Sequence, residues 1–191
     1  MFTWRKIIKR KSISKFYLEN IIKLIMDNTL NKALKLNNII LYLSFHRLVD
    51  EKYINSIRIK TKKENYIKYI NQNLIAECLS KTNLVVTDFS SIIFDLMYRR
   101  KPFVIYIPDV YESKLKYIYE NDYYQLIQYM KNGDIYFENK FFSINQTVNK
   151  IIFYINNNFA LDKKLEKFYD NFRFKKENGI KKFIDYLKEL K

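Results

Sequence analysis

The chain has 191 residues, 48% hydrophobic and 17% aromatic, enough to bury the core of one domain and too few for two large ones. Only two glycines and two prolines occur, which argues against a turn-rich β-sandwich and a glycine-rich phosphate loop, and one cysteine rules out an internal disulfide framework. The net charge of +15 points to a polyanion (nucleic acid, anionic lipid or a phosphate-rich substrate) without choosing among them, and a solvated basic surface explains it equally well.

Residues 1–37 read as a basic N-terminal helical segment. Arg5, Lys6, Lys9, Arg10, Lys11 and Lys15 are interleaved with Ile7, Ile8, Ile13, Phe16 and Tyr17, and the pattern continues to Ile25. Residues 5–25 fit a peripheral helix on an anionic membrane surface, and fit better an ordinary first helix packed on a core. No run of about 18 apolar residues and no signal-peptide pattern follows, so the expected location is cytoplasmic, peripheral at the inner face of the membrane.

Residues 38–191 read as one α/β domain with a helix-rich C-terminal third. A short buried strand over 38–43 leads to Ser44, Phe45 and His46. Residues 54–60 alternate weakly and predict a second strand or an irregular connection. Leu74, Ile75, Cys78 and Leu79 give helical spacing over 71–81, with Asn71 or Asn73 as cap and Cys78 as a buried small side chain. A β-branched run over 83–87 predicts a strand covered on both faces. A helix then starts at Ser90 or Ser91, and Arg99, Arg100 and Lys101 suit its C-terminal dipole before Pro102 stops it. Residues 103–107 form the next strand, ended by Pro108. Helices are expected over 122–131, 143–156, 161–170 and 179–190, with a turn at Gly133 and Asp134.

Strand, helix, strand at this spacing is a parallel βαβ unit, which takes ligands at the strand C-termini. Asp88, Ser90 and Ser91 fall there. The two serine hydroxyls and the free N–H groups of a helix start can hold an anion, yet Asp and Ser are also ordinary helix caps. Spacing leaves both roles open. Asp95, one turn on, is either paired in a site or on its rim. His46, the chain's one histidine, follows a strand directly and could donate to phosphate or a leaving group, or be structural. Asp109 ends the next strand at the same edge, where a plain turn would also explain it.

The run Leu84-Val85-Val86-Thr87-Asp88-Phe89-Ser90-Ser91-Ile92-Ile93-Phe94-Asp95, followed by Lys101-Pro102 and Ile105-Tyr106-Ile107-Pro108-Asp109, resembles the CDP-glycerol glycerophosphotransferases of teichoic acid and related surface-polymer synthesis. The matching block covers about Asn71 to Tyr111. The resemblance implies a Rossmann-like parallel sheet layered with helices, like the C-terminal domain of a GT-B transferase. It implies a CDP-glycerol or similar CDP-polyol donor, a lipid-linked anionic polymer acceptor, and no cofactor or metal. Thr87, Asp88, Ser90 and Ser91 would line the donor pyrophosphate pocket, Asp95 and Asp109 would belong to the substrate site, and His46 would be the catalytic contact to phosphate.

Two features depart from the family pattern. Arg47 stands where a proline commonly follows the histidine, and no Arg-Gly pair follows Asp109 between Tyr111 and Tyr124. Only 45 residues precede His46, so the expected protein is a donor-binding half, truncated or paired with a separate N-terminal half. The competing readings are a non-catalytic cytidine-nucleotide-binding partner of a polymerase and a nucleic-acid-binding protein. Charge and seventeen tyrosines favour the last, but no helix-turn-helix, OB or RRM pattern supports it.

Overall fold

Apolar spacing sets the first helix. In α1 (Lys15–Ile25), Tyr17, Leu18, Ile21, Leu24 and Ile25 recur on one helical face, and all five are buried. The computed structural model describes residues 15–45, 49, 51–88, 90, 92–111 and 139–171. The expected helices over 122–131 and 179–190 and the turn at Gly133 lie outside them. So do His46 and Ser91.

Asp27 starts α2 (Asn28–Leu36) by accepting a hydrogen bond from the Leu30 N–H at 2.9 Å. The helix closes through Asn38, at a positive φ of 52° that asparagine tolerates, and the Ile39 N–H returns to the Leu34 carbonyl. This closure uses up the start of the expected strand, so β1 spans only Leu41–Leu43.

The segment expected to be a strand or irregular over 54–60 is a helix, α3 (Glu51–Thr61). Its buried residues Ile57 and Thr61 are four apart, a helical and not an alternating spacing, and Arg58 pairs with Glu51 at 2.7 Å. The strand comes after it. Strand β2 (Ile67–Tyr69) runs parallel to β1, with Leu41 opposite Ile67 and Leu43 opposite Tyr69.

The expected helix over 71–81 is a 3-10 turn (Gln72–Leu74) followed by α4 (Ile75–Lys81), with the Asn71 side chain capping the turn through the Asn73 N–H. Cys78 is half-buried. Then β3 (Val85–Thr87), α5 (Ile92–Tyr98) and β4 (Phe103–Tyr106) form the βαβ unit read from the sequence, with Val85 opposite Phe103 and Thr87 opposite Ile105. Helix α5 ends at Tyr98, four residues before Pro102. Arg100 takes the left-handed conformation at φ 52°, and the Lys101 N–H reaches the Leu96 carbonyl.

A two-residue strand, β5 (Lys140–Phe141), adds to the other side of β4, also parallel. That makes β4 the centre of a three-stranded sheet, and its four side chains are fully buried. Helix α6 (Ile144–Asn156), capped by Ser143, packs on β4 and β5, and α1 and α2 pack on α6. Helix α7 (Lys163–Asn171) is capped by Asp162. The N-terminal helices thus share one hydrophobic core with the sheet. The apolar face of α1 is consumed by that core, leaving none of its buried residues for a membrane.

Between β1 and β3 lies a cavity of about 570 Å³, lined by Leu24, Leu34, Leu43, Val86, Ile151 and other mostly apolar residues. Parallel strands layered with helices make this a Rossmann-like α/β domain.

Candidate functional site

Parallel pairing puts the C-terminal ends of β3 and β4 side by side, so the chain leaving each strand turns at the same edge. From β3 come Thr87 and Asp88, both 0% exposed, and Ser90, 8% exposed. From β4 come Tyr106 and, within the following 3-10 turn (Pro108–Tyr111), Asp109, both also fully buried. Helix α1 closes this edge by packing against the 3-10 turn. Its Tyr17 phenol donates to the Asp88 Oδ2 at 2.7 Å.

Ser90 acts locally as a weak cap, its Oγ accepting from the Ile92 N–H at 3.4 Å. Asp95 is elsewhere. It lies with Phe94 and Tyr98 on the exposed side of α5, while Ile92, Ile93, Leu96 and Met97 face the core. The structure therefore brings Thr87, Asp88, Ser90 and Asp109 together and leaves Asp95 outside the group.

Burial pushes the Tyr106 phenol well above its ordinary pKa, and the nearby Asp109 carboxylate adds to the effect. The hydroxyl keeps its proton throughout the physiological range. Among the described residues, neither the Tyr106 hydroxyl nor the Thr87 Oγ1 has a hydrogen-bond partner, and the same holds for the Ser44 Oγ just beyond β1. Another buried polar atom in this condition is the Asn31 Oδ1 on α2. Buried hydroxyls usually find partners, so the two at the ends of the paired strands β3 and β4 mark this edge as polar and incompletely satisfied.

Tyr17, Ser44 and Tyr106 were not singled out by the sequence. Tyr17 falls on the apolar face of α1, where helical spacing reads as core, and its partner is distant in the chain. A buried hydroxyl immediately after a strand was the available signal for Ser44.

Lys101, the first residue of the Lys-Pro pair in the motif block, is not at this edge. Its Nζ donates to the Ser80 carbonyl at 2.9 Å and to the Thr82 carbonyl, capping the end of α4, while its own carbonyl accepts from the Tyr169 hydroxyl. Arg100 beside it pairs with Asp170 at 2.8 Å and with Glu166 at 3.3 Å on α7. These two cations brace the strand-entry side of the sheet. Among the described residues no cluster of three His, Cys, Asp or Glu could hold a metal, and no helix is long and apolar enough to cross a membrane.

The chain is similar to two curated proteins of teichoic acid synthesis. It is 36% identical over 112 residues to the minor teichoic acid biosynthesis protein GgaB of Bacillus subtilis, a match covering 58% of this chain and 11% of GgaB. It is 27% identical over 156 residues to the teichoic acid poly(glycerol phosphate) polymerase of Bacillus spizizenii, covering 79% of this chain and 35% of that protein. The chain thus spans about a tenth and about a third of these relatives. The model of the CDP-glycerol:poly(glycerophosphate) glycerophosphotransferase family matches residues 1–179, nearly the whole sequence, and the chain belongs to that family.

Proposed function

We propose that this chain forms the donor-binding part of an enzyme that moves glycerol phosphate from CDP-glycerol, or a related CDP-polyol, to a lipid-linked polymer of the teichoic acid type. The observation that carries the reading is the convergence of Thr87, Asp88, Ser90 and Asp109 at the C-terminal edge of a parallel sheet, in a chain of this family.

In the reaction an acceptor hydroxyl attacks the phosphorus that carries glycerol. A new phosphorus–oxygen bond forms, the bond to the bridging oxygen of the pyrophosphate breaks, and CMP leaves with the electron pair while the hydroxyl proton passes to a base or to water. Charge builds on the leaving oxygen, so fixed hydrogen-bond donors near it lower the barrier. The hydroxyls of Thr87 and Ser90 can supply such donors, and the family resemblance adds Ser91 and His46. Asp95 is assigned to the rim. The net charge of +15 suits an anionic donor and acceptor and work at the inner face of the membrane, as the C-terminal half of a GT-B pair.

Calorimetry with CDP-glycerol tests this. The chain should bind it, and Thr87→Val combined with Ser90→Ala should weaken binding by about tenfold or more, the loss of one or two charge-assisted hydrogen bonds. Unchanged affinity in a folded double variant would remove these hydroxyls from the site.

A further inference from the structure

We infer that Tyr17 is a positioning residue for the donor-binding turn, holding it from α1 through Asp88. The role rests on the donor-binding reading above. Asp88 is 0% exposed, and its Oδ2 accepts from the Tyr17 hydroxyl at 2.7 Å. Tyr17 is itself 0% exposed, on a helix whose Leu18, Ile21, Leu24 and Ile25 are fixed in the core. The same helix packs on the turn that carries Asp109. One rigid element therefore touches both strand-end turns, and only one residue separates Asp88 from Ser90.

Electrostatics give the contact its importance. A carboxylate beside a diphosphate raises the energy of the bound state unless donors draw its charge elsewhere. The Tyr17 hydroxyl does so, in a buried setting where a phenol–carboxylate bond is strong. It also fixes the Asp88 side chain, and with it the backbone that aims Thr87 and Ser90. Losing the hydroxyl should leave the ring packed but release the turn.

The test compares two chemically matched substitutions. Tyr154 on α6 also donates to a carboxylate, Asp162 Oδ2 at 2.9 Å, but away from the donor edge. Tyr17→Phe and Tyr154→Phe each delete one phenol-to-carboxylate bond. By calorimetry, Tyr17→Phe should weaken CDP-glycerol binding by about five- to tenfold, and Tyr154→Phe by less than about twofold. Normal affinity in folded Tyr17→Phe, or equal losses in both variants, would overturn the positioning role.

Hydrogen exchange on the unsubstituted chain gives a second readout that needs no variant. CDP-glycerol should slow exchange in α1 together with the segment from β3 to α5, and protection of the latter without α1 would also overturn the role. If the unsubstituted chain does not bind CDP-glycerol, the donor-binding reading fails, and the role of Tyr17 fails with it.

Discussion

The two sides of β4 solve the problem of buried polar groups in opposite ways. On the strand-entry side, Asn139 donates to the Phe103 carbonyl at 3.1 Å and to the Tyr154 hydroxyl at 2.7 Å. Tyr154 donates to Asp162, which also accepts from Lys150 at 2.6 Å and caps α7 through the Leu165 N–H at 2.8 Å. On the strand-exit side, Thr87 and Tyr106 bury hydroxyls that have no partner. A closed network stabilises and fixes one arrangement, whereas an open set of hydroxyls costs stability and is retained where it serves something else. The first side holds the domain together. The second is the place to look for function.

The largest effect should come from opening the closed side. Asp162→Ala strands Lys150, frees the Tyr154 hydroxyl and uncaps α7. Unfolding by urea should show a loss of roughly 3 kcal/mol, the low end for breaking a buried ion pair, because Lys150 and Asp162 keep 21% and 14% side-chain exposure. CDP-glycerol affinity should not change. A loss near zero would mean the network is not formed in solution.

Acid should act on the same group next. Burial alone would raise the Asp162 pKa, but hydrogen bonds from Lys150, the Leu165 N–H and Tyr154 outweigh it and leave the carboxyl below its ordinary value. The sign follows from linkage. A carboxyl with a depressed folded pKa contributes its full stability above the unfolded value, and that contribution is lost as pH falls through the folded value. Urea midpoints taken from about pH 7 to about pH 3 should therefore decline through the carboxylate range, and Lys150→Met should flatten this decline. The same slope in both proteins would show that Lys150 does not set it.

Only the strand-exit side of this contrast is legible in the sequence. The βαβ unit from β3 to β4 could be read because Val85, Val86 and Thr87 are a strong β-branched run and Pro102 punctuates the next strand. The edge nominated for ligand binding followed from that topology. What sequence could not supply was long-range partnership. Tyr17 and Asp88 are 71 residues apart, and nothing in the spacing of either identifies the other. Strand β5 has two residues and exists only because β4 offers it an edge. Helix α3 was misread because Ile54 to Lys60 shows weak alternation, while its two buried residues, Ile57 and Thr61, reveal a helical face only once the packing is known. The sequence places Lys101 at the end of its own helix, and the fold turns it to the end of α4 instead.

The smallest effect is also the sharpest comparison of the two sides. Tyr106→Phe and Tyr154→Phe make the same chemical change at two fully buried tyrosines. Tyr154 loses its bond to the Asp162 carboxylate and its acceptor contact from Asn139, so its variant should lose roughly 1.5–3 kcal/mol, as for a hydrogen bond to a charged group. Tyr106 has no bond to lose. Its hydroxyl is stripped of water in the folded state without compensation, and burial beside Asp109 keeps it from ionising. Removing it relieves that cost and leaves the ring to pack as before, so stability should match the unsubstituted chain or rise by up to about 1 kcal/mol. Paired urea titrations at neutral pH measure the difference directly. If Tyr106→Phe loses as much as Tyr154→Phe, its hydroxyl is bonded in solution, and the strand-exit side is as closed as the strand-entry side.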